Sequence, residues 1–161
     1  MPIELSADQV WPAIDKELFA VLGMVTSQQE ARTVGVVYVV RDRKLYIVTG
    51  KDTWKARHVT ANPHVSVTIP IAKRVWIMPW MKIPAATITF SGTARVFPID
   101  DAPAELRRAL LRGTEQDTGR VAASCIIEVT PEKEFVTYGV GIPLMQMRFP
   151  EKARGRAPVG V

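Results

Sequence analysis

The sequence predicts a mainly β chain, an antiparallel barrel with a few short helices between its strands, and three observations carry that expectation. Seven runs have strand-like composition or alternation. The helical patterns that separate them are short. A chain of 161 residues suits a single domain, and closing a sheet of this size on itself removes its unpaired edges.

Residues 6–16 space apolar and polar positions for a short helix, with Ser6 and Gln9 set as a capping box and Pro12 limiting where the helix starts. Residues 18–26 are apolar, 27–31 polar and 32–40 rich in β-branched side chains, which is a hairpin pattern, and Arg41-Asp42-Arg43 makes the next turn. Residues 44–49 alternate around Leu45, Ile47 and Thr49 and complete a three-strand meander. A helix from Thr53 to Ala61 follows, stopped at Asn62-Pro63 because proline disfavours helical geometry in the residue before it, and 64–70 return to strand.

Over 71–84 the pattern fails, and Lys73, Arg74, Trp76, Pro79, Trp80, Met81 and Pro84 read as a loop or irregular insertion. Residues 85–97 alternate again, with Ser91-Gly92 as a bulge or bend. Asp101 suits a helix cap, with Pro103 and Glu105 in the first turn of a helix reaching Arg112. Two last strands, 123–130 and 135–140, are joined by a turn at Pro131-Glu132-Lys133. This divides the chain into a barrel domain over 1–145 and a basic tail over 146–161, with the mobility ordinary for a terminus.

Composition bounds the function. Apolar residues at 47% and charged residues at 23% are globular values. A net charge of +5 and a pI near 9.6 favour anionic partners, but the basic residues are scattered, without a zinc-finger, ribonucleoprotein or basic-zipper motif, so no nucleic acid is expected. Cys125 is the only cysteine, which excludes an intrachain disulfide and agrees with a reducing compartment. The first residues lack a basic segment followed by an apolar one, and no run has the length of a membrane span, so the cytoplasm is the expected location.

The stretch Thr49-Gly50-Lys51-Asp52-Thr53-Trp54-Lys55-Ala56-Arg57-His58 reads as a phosphate-binding corner. Hydroxyls, a glycine and cations meet where a helix starts, and a helix start offers unpaired N–H groups and the positive end of a dipole. The same residues also fit a plain helix cap at Thr53 followed by solvated charges.

In order along the chain, Leu45-Tyr46-Ile47-Val48-Thr49, then Thr53-Trp54-Lys55-Ala56-Arg57, then Ala61-Asn62-Pro63-His64-Val65-Ser66-Val67 resemble the pyridoxamine 5'-phosphate oxidase-like family of FMN-binding split β-barrels. The order of elements is similar from 18 to 130, whereas the specific motif is confined to the corner. The resemblance implies a split antiparallel β-barrel, a homodimer with FMN at the subunit interface, and an oxidoreductase that passes hydride or electrons to a small-molecule substrate. It places Thr53 and Lys55 on the cofactor phosphate, with Thr49 beside them, and Arg32 as the basic residue at the start of the second strand; Lys51, one of the corner's cations, is a further cofactor-binding candidate. The backbone from Val34 to Tyr38, including Val36, would edge the flavin ring. No catalytic acid or nucleophile is expected, since a flavin ring itself carries the hydride.

Three departures narrow that reading. Val37 stands where the vitamin oxidases have a second basic residue, Thr87 replaces their glutamine as either a weaker hydrogen-bonding group or a plain strand threonine, and their C-terminal substrate-binding segment has no match. Vitamin B6 oxidation is therefore not expected. Relatives use FMN or the deazaflavin coenzyme F-420, and a few bind haem or biliverdin. The alternatives are accordingly a deazaflavin-dependent reductase or a non-catalytic flavin-, haem- or tetrapyrrole-binding protein.

Other residues point less sharply. His58 and His64 lack the spacing of a helical metal pair and have no carboxylate cluster, so no metal site is expected, although His58 keeps a haem-ligand role open. Cys125 sits in an apolar strand and reads as core. Residues 75–81 suit a pocket wall, a subunit contact or core, and the tail arginines suit an anionic ligand.

Overall fold

Runs of β-branched and alternating residues build most of the chain into strands in a computed structural model that describes residues 3–72 and 86–160. In chain order these are β1 (Ile3–Glu4), α1 (Ala7–Lys16), β2 (Phe19–Val25), β3 (Ala31–Val37), β4 (Val39–Arg41), β5 (Lys44–Gly50), α2 (Trp54–Ala61), β6 (His64–Ile71), β7 (Ala86–Pro98), α3 (Ala104–Leu111), α4 (Thr118–Ala122), β8 (Ser124–Tyr138), α5 (Pro150–Ala153) and β9 (Arg154–Pro158). The strands follow the order β1-β9-β8-β7-β6-β2-β3, while β5 pairs with both β4 and β8. Because β4 continues the chain of β3, the ring β2, β6, β7, β8, β5, β4 returns to β2, giving a split barrel with a few short helices.

The expected second strand is broken at Tyr38. Its ring is buried and its hydroxyl donates to the Ile14 carbonyl at 2.6 Å, while its N–H donates to Leu18 O and ends the ladder with β2. The strand is thereby divided into β3, which pairs with β2, and β4, which pairs with β5. The β4–β5 turn takes positive φ at both Asp42 (49°) and Arg43 (58°), the backbone of a tight hairpin.

Other expectations shift for identifiable reasons. The bulge lies between Thr89 and Ser91, one step before Ser91-Gly92, and only against β8, since pairing with β6 runs through it in register. Gly92 is required nearby because a Cβ there would come within 2.6 Å of the Thr130 carbonyl oxygen. Pro131-Glu132-Lys133 does not reverse the chain. Lys133 does take a positive φ of 63°, but both flanks pair with β7, so the turn chemistry becomes a bulge in one long strand, β8.

Asp101 does not cap α3. It ends a 3-10 turn at Ile99–Asp101, and the cap position falls to Pro103. The helix α4, capped by Asp117, lies where no element was expected. The tail is not a loose end, since β9 pairs with β8 and also holds β1. Within the irregular segment, Ile71 ends β6, and residues 73–84 lie outside the described residues.

One core fills the barrel. Leu22, Leu45, Ile47, Val67, Ile88, Ile127 and Val129 point inward, and α1 closes one end with Trp11 edge-on to Phe135 at 5.4 Å. A second cluster seats α3 on the outer face of β5 and β8 through Leu106, Leu110, Tyr46 and Ile126. Covered on both faces, β8 is buried without alternation from Ser124 to Val129.

Candidate functional site

The corner forms where β5 ends and α2 begins. Thr53 takes extended backbone angles and caps α2, its hydroxyl oxygen accepting from the Ala56 N–H at 3.4 Å and donating to Gly50 O at 2.8 Å. Thr49, buried on β5, lies 3.3 Å away, oxygen to oxygen. The Lys51 N–H is anchored to Ala123 O at 2.9 Å. The first-turn N–H groups of a helix have no intrahelical acceptor, and with that of Ala56 taken by Thr53, those of Trp54 and Lys55 remain as donors.

The corner gathers three cations within seven residues of sequence. Among the described residues, Lys51, Lys55 and Arg57 have no carboxylate within ion-pairing distance. Lys55 is also half-buried, and it lines a cleft of about 390 Å³ together with Gly35, Val36 and Val37 of β3 and Ile47 and Val48 of β5. Such a volume falls in the range of small-molecule sites, and mostly apolar walls with cations among them fit a flat ring bearing a phosphate. Gly35 has its own explanation, since the Phe19 ring would lie 2.8 Å from a Cβ there.

The structure thus brings Thr49 and Thr53 together and places Val36 with Lys55. Lys51 faces a different cavity, beside Cys125. Arg32 is exposed, paired with Glu30 at 3.3 Å, and lines a separate cavity with His64. Thr87 pairs across the sheet with Pro70 and Tyr138. Trp54 is 40% exposed and sits edge-on to His58 at 5.8 Å. Cys125 is buried core, and burial pushes its thiol pKa up while Lys51 and Lys55 oppose the rise.

Arg112 is the cleft residue that sequence reasoning missed. It ends α3 in the left-handed region (φ 45°, ψ 49°), lines the same cleft as Lys55, and has no ion-pair partner among the described residues. Its only local signal is the neighbouring Gly113, which marks a helix end and nothing about a site. Volume alone does not choose the site. A cavity of about 640 Å³ lies at the β1–β9 edge, where Arg156 is already paired with Glu134 at 3.0 Å.

Among the described residues no group of histidine, cysteine and carboxylate side chains could hold a metal ion, and no helix is long and apolar enough to cross a membrane.

Comparison with known proteins agrees with the fold. A FAD-binding protein from Mesorhizobium loti is 18% identical, with a TM-score of 0.60 over 80% of this chain and 90% of that one. The haem storage protein HutZ from Vibrio cholerae is 14% identical, with a TM-score of 0.58 over 84% and 97%. A protein described as an F420 reductase is 18% identical, with a TM-score of 0.53 over 73% and 88%. At these identities the likeness is one of fold. No curated protein matches the chain. The sequence pattern of the pyridoxamine 5'-phosphate oxidase family matches residues 7–138, which is most of the chain, and the protein belongs to that family.

Proposed function

We propose that the β3–β5 cleft binds FMN and that the protein is a flavin-dependent oxidoreductase acting on a small molecule. One observation carries this reading: Lys55, half-buried and without a carboxylate partner among the described residues, lines a cleft whose other walls are mostly apolar and include Gly35 to Val37 of β3. Lys55 and the first-turn N–H groups of α2 would hold the phosphate, a point charge and directed donors doing different parts of the work. Thr53 joins them if its hydroxyl turns away from Gly50 O, and Thr49 is placed to support that turn. Val36 and its neighbours would flank the ring, whereas Lys51, Arg32 and Thr87 do not line this cleft.

Bound FMN would supply the hydride or electron chemistry. The chain would bind, orient and exclude water. Leu18, Phe19 and Val37 are exposed apolar residues beside the cleft, which suits a second copy of the chain covering it as a homodimer. The cofactor reading is tested by titrating the purified protein with FMN, riboflavin and coenzyme F-420. Saturable FMN binding that is much tighter than riboflavin binding supports it. Binding of the deazaflavin alone would move the assignment to a deazaflavin-dependent reductase, and a haem band with no flavin binding would replace both.

A further inference from the structure

The helix α2 is a wall between two cavities. Lys55 lines the cleft beside β3, whereas Ala56 and, further along, Ala61 line a second cavity of about 440 Å³ on the side of β7 and β8. The small side chains of Ala56 and Ala61 leave that space open, Phe97 stands across it, and the buried Cys125 is part of its wall. The lining is mostly apolar. Among the described residues, Lys51 and Arg57 are the only charged ones in its lining, none is acidic, and neither cation has a carboxylate partner.

This composition selects a ligand class. A cation is repelled by both charges, a fully polar anion leaves the apolar walls uncovered, and a neutral apolar molecule leaves the two cations unused. We propose that this cavity is a separate binding site for a small amphiphilic monoanion, with its apolar body between α2 and β7 and its carboxylate at Lys51 and Arg57. The site is distinct from the cofactor cleft and does not rest on the FMN reading. The positive field of Lys51 and Lys55 does reach into this cavity, because both act on the Cys125 thiol against the effect of its burial.

Octanoate is the probe and 1-octanol its uncharged control, each titrated into the full chain with the Ala56 and Ala61 methyl groups followed by NMR. Octanoate is expected to shift both signals saturably and to bind at least about tenfold more tightly than octanol, the scale of one or two charge-assisted hydrogen bonds. The double variant Lys51→Ala, Arg57→Ala, on an exposed surface, is expected to melt near the wild-type temperature and to lose that preference. Ala61→Trp fills the cavity and is expected to abolish the octanoate shift at Ala56. The proposal is overturned by equal affinity for octanoate and octanol, by shifts confined to other residues, or by unchanged binding in either variant. Failure of FMN to bind would leave these outcomes unaffected, so the two ideas fail separately.

Discussion

The two ends of the β5–β8 pair treat charge in opposite ways. At the start of β5, Glu128 of β8 is buried with 8% exposure and faces Tyr46 on one neighbouring strand and Arg95 on the other, both in register. It pairs with Arg95 at 3.3 Å and Lys44 at 3.4 Å, with Tyr46 directly across the β5–β8 ladder. At the far end of β5, Lys51, Lys55 and Arg57 gather with no such partner among the described residues. A paired cluster is complete without a ligand and holds α3's platform together. An unpaired cluster of like charge next to an apolar cleft gains an electrostatic partner only when an anion arrives.

The contrast is broken most directly at the corner. Replacing both Thr53 and Lys55 with alanine is expected to weaken FMN binding by at least about tenfold, since hydrogen bonds to charged groups contribute roughly 1.5–3 kcal/mol. Unchanged affinity in the folded variant, measured by flavin fluorescence quenching, would put the phosphate elsewhere.

At the paired end the expected effect is on stability. Glu128→Gln keeps the shape but removes the charge facing Arg95 and Lys44, both partly exposed, and a loss of about 1–2 kcal/mol is expected in urea denaturation.

Acid should reproduce part of that loss. Burial pushes the Glu128 carboxyl up, but the Tyr46 hydroxyl, Arg95 and Lys44 outweigh it and hold its pKa below the ordinary value. A carboxylate with a lowered folded-state pKa stabilises fully above its unfolded pKa, and the contribution disappears as pH falls through the folded value. The wild type should therefore lose stability below about pH 4.5, with a smaller loss in Glu128→Gln. A parallel acid profile in the two proteins would remove Glu128 as the cause.

The alkaline counterpart is Tyr46, whose pKa is pushed up to about 12 by burial and by the adjacent Glu128. Its neutral form is favoured on folding, so its contribution is intact below pH 10 and is lost as pH rises through 12. Ultraviolet titration should find two tyrosines that resist ionisation at pH 11 in the wild type, Tyr46 and the buried Tyr38, of which Tyr46 becomes easier to ionise in Glu128→Gln. Smallest of all is the effect of Lys55→Ala on stability, expected within about 0.5 kcal/mol because no described carboxylate is left behind. A larger loss would make the corner a structural cluster after all.

Local chemistry made the corner legible. Thr53 as the cap, Asn62-Pro63 as the stop and the alternation of Leu45, Ile47 and Thr49 all act within a few residues, and the structure keeps each of them. Where partners come from far along the chain, local chemistry fails. Arg112 is brought to Lys55 by the packing of α3 on β5, and the Glu128 cluster needs three strands in register. Pro131-Glu132-Lys133 carries a turn signal, yet β7 pairing on both sides makes it a bulge. Arg32 keeps its place at the start of β3, but its guanidinium meets Glu30 and lines a cavity that does not include Lys55.

By itself the sequence determined the mainly β class, the order of elements around the corner and the family resemblance, because periodicity, caps and proline stops are encoded within a few neighbouring residues. Only the tertiary structure decided which strands share an edge, which cations keep a carboxylate partner and which are left to face a cleft. Those outcomes depend on register and burial across residues distant in the chain, where pairing energies and not local propensity select the arrangement.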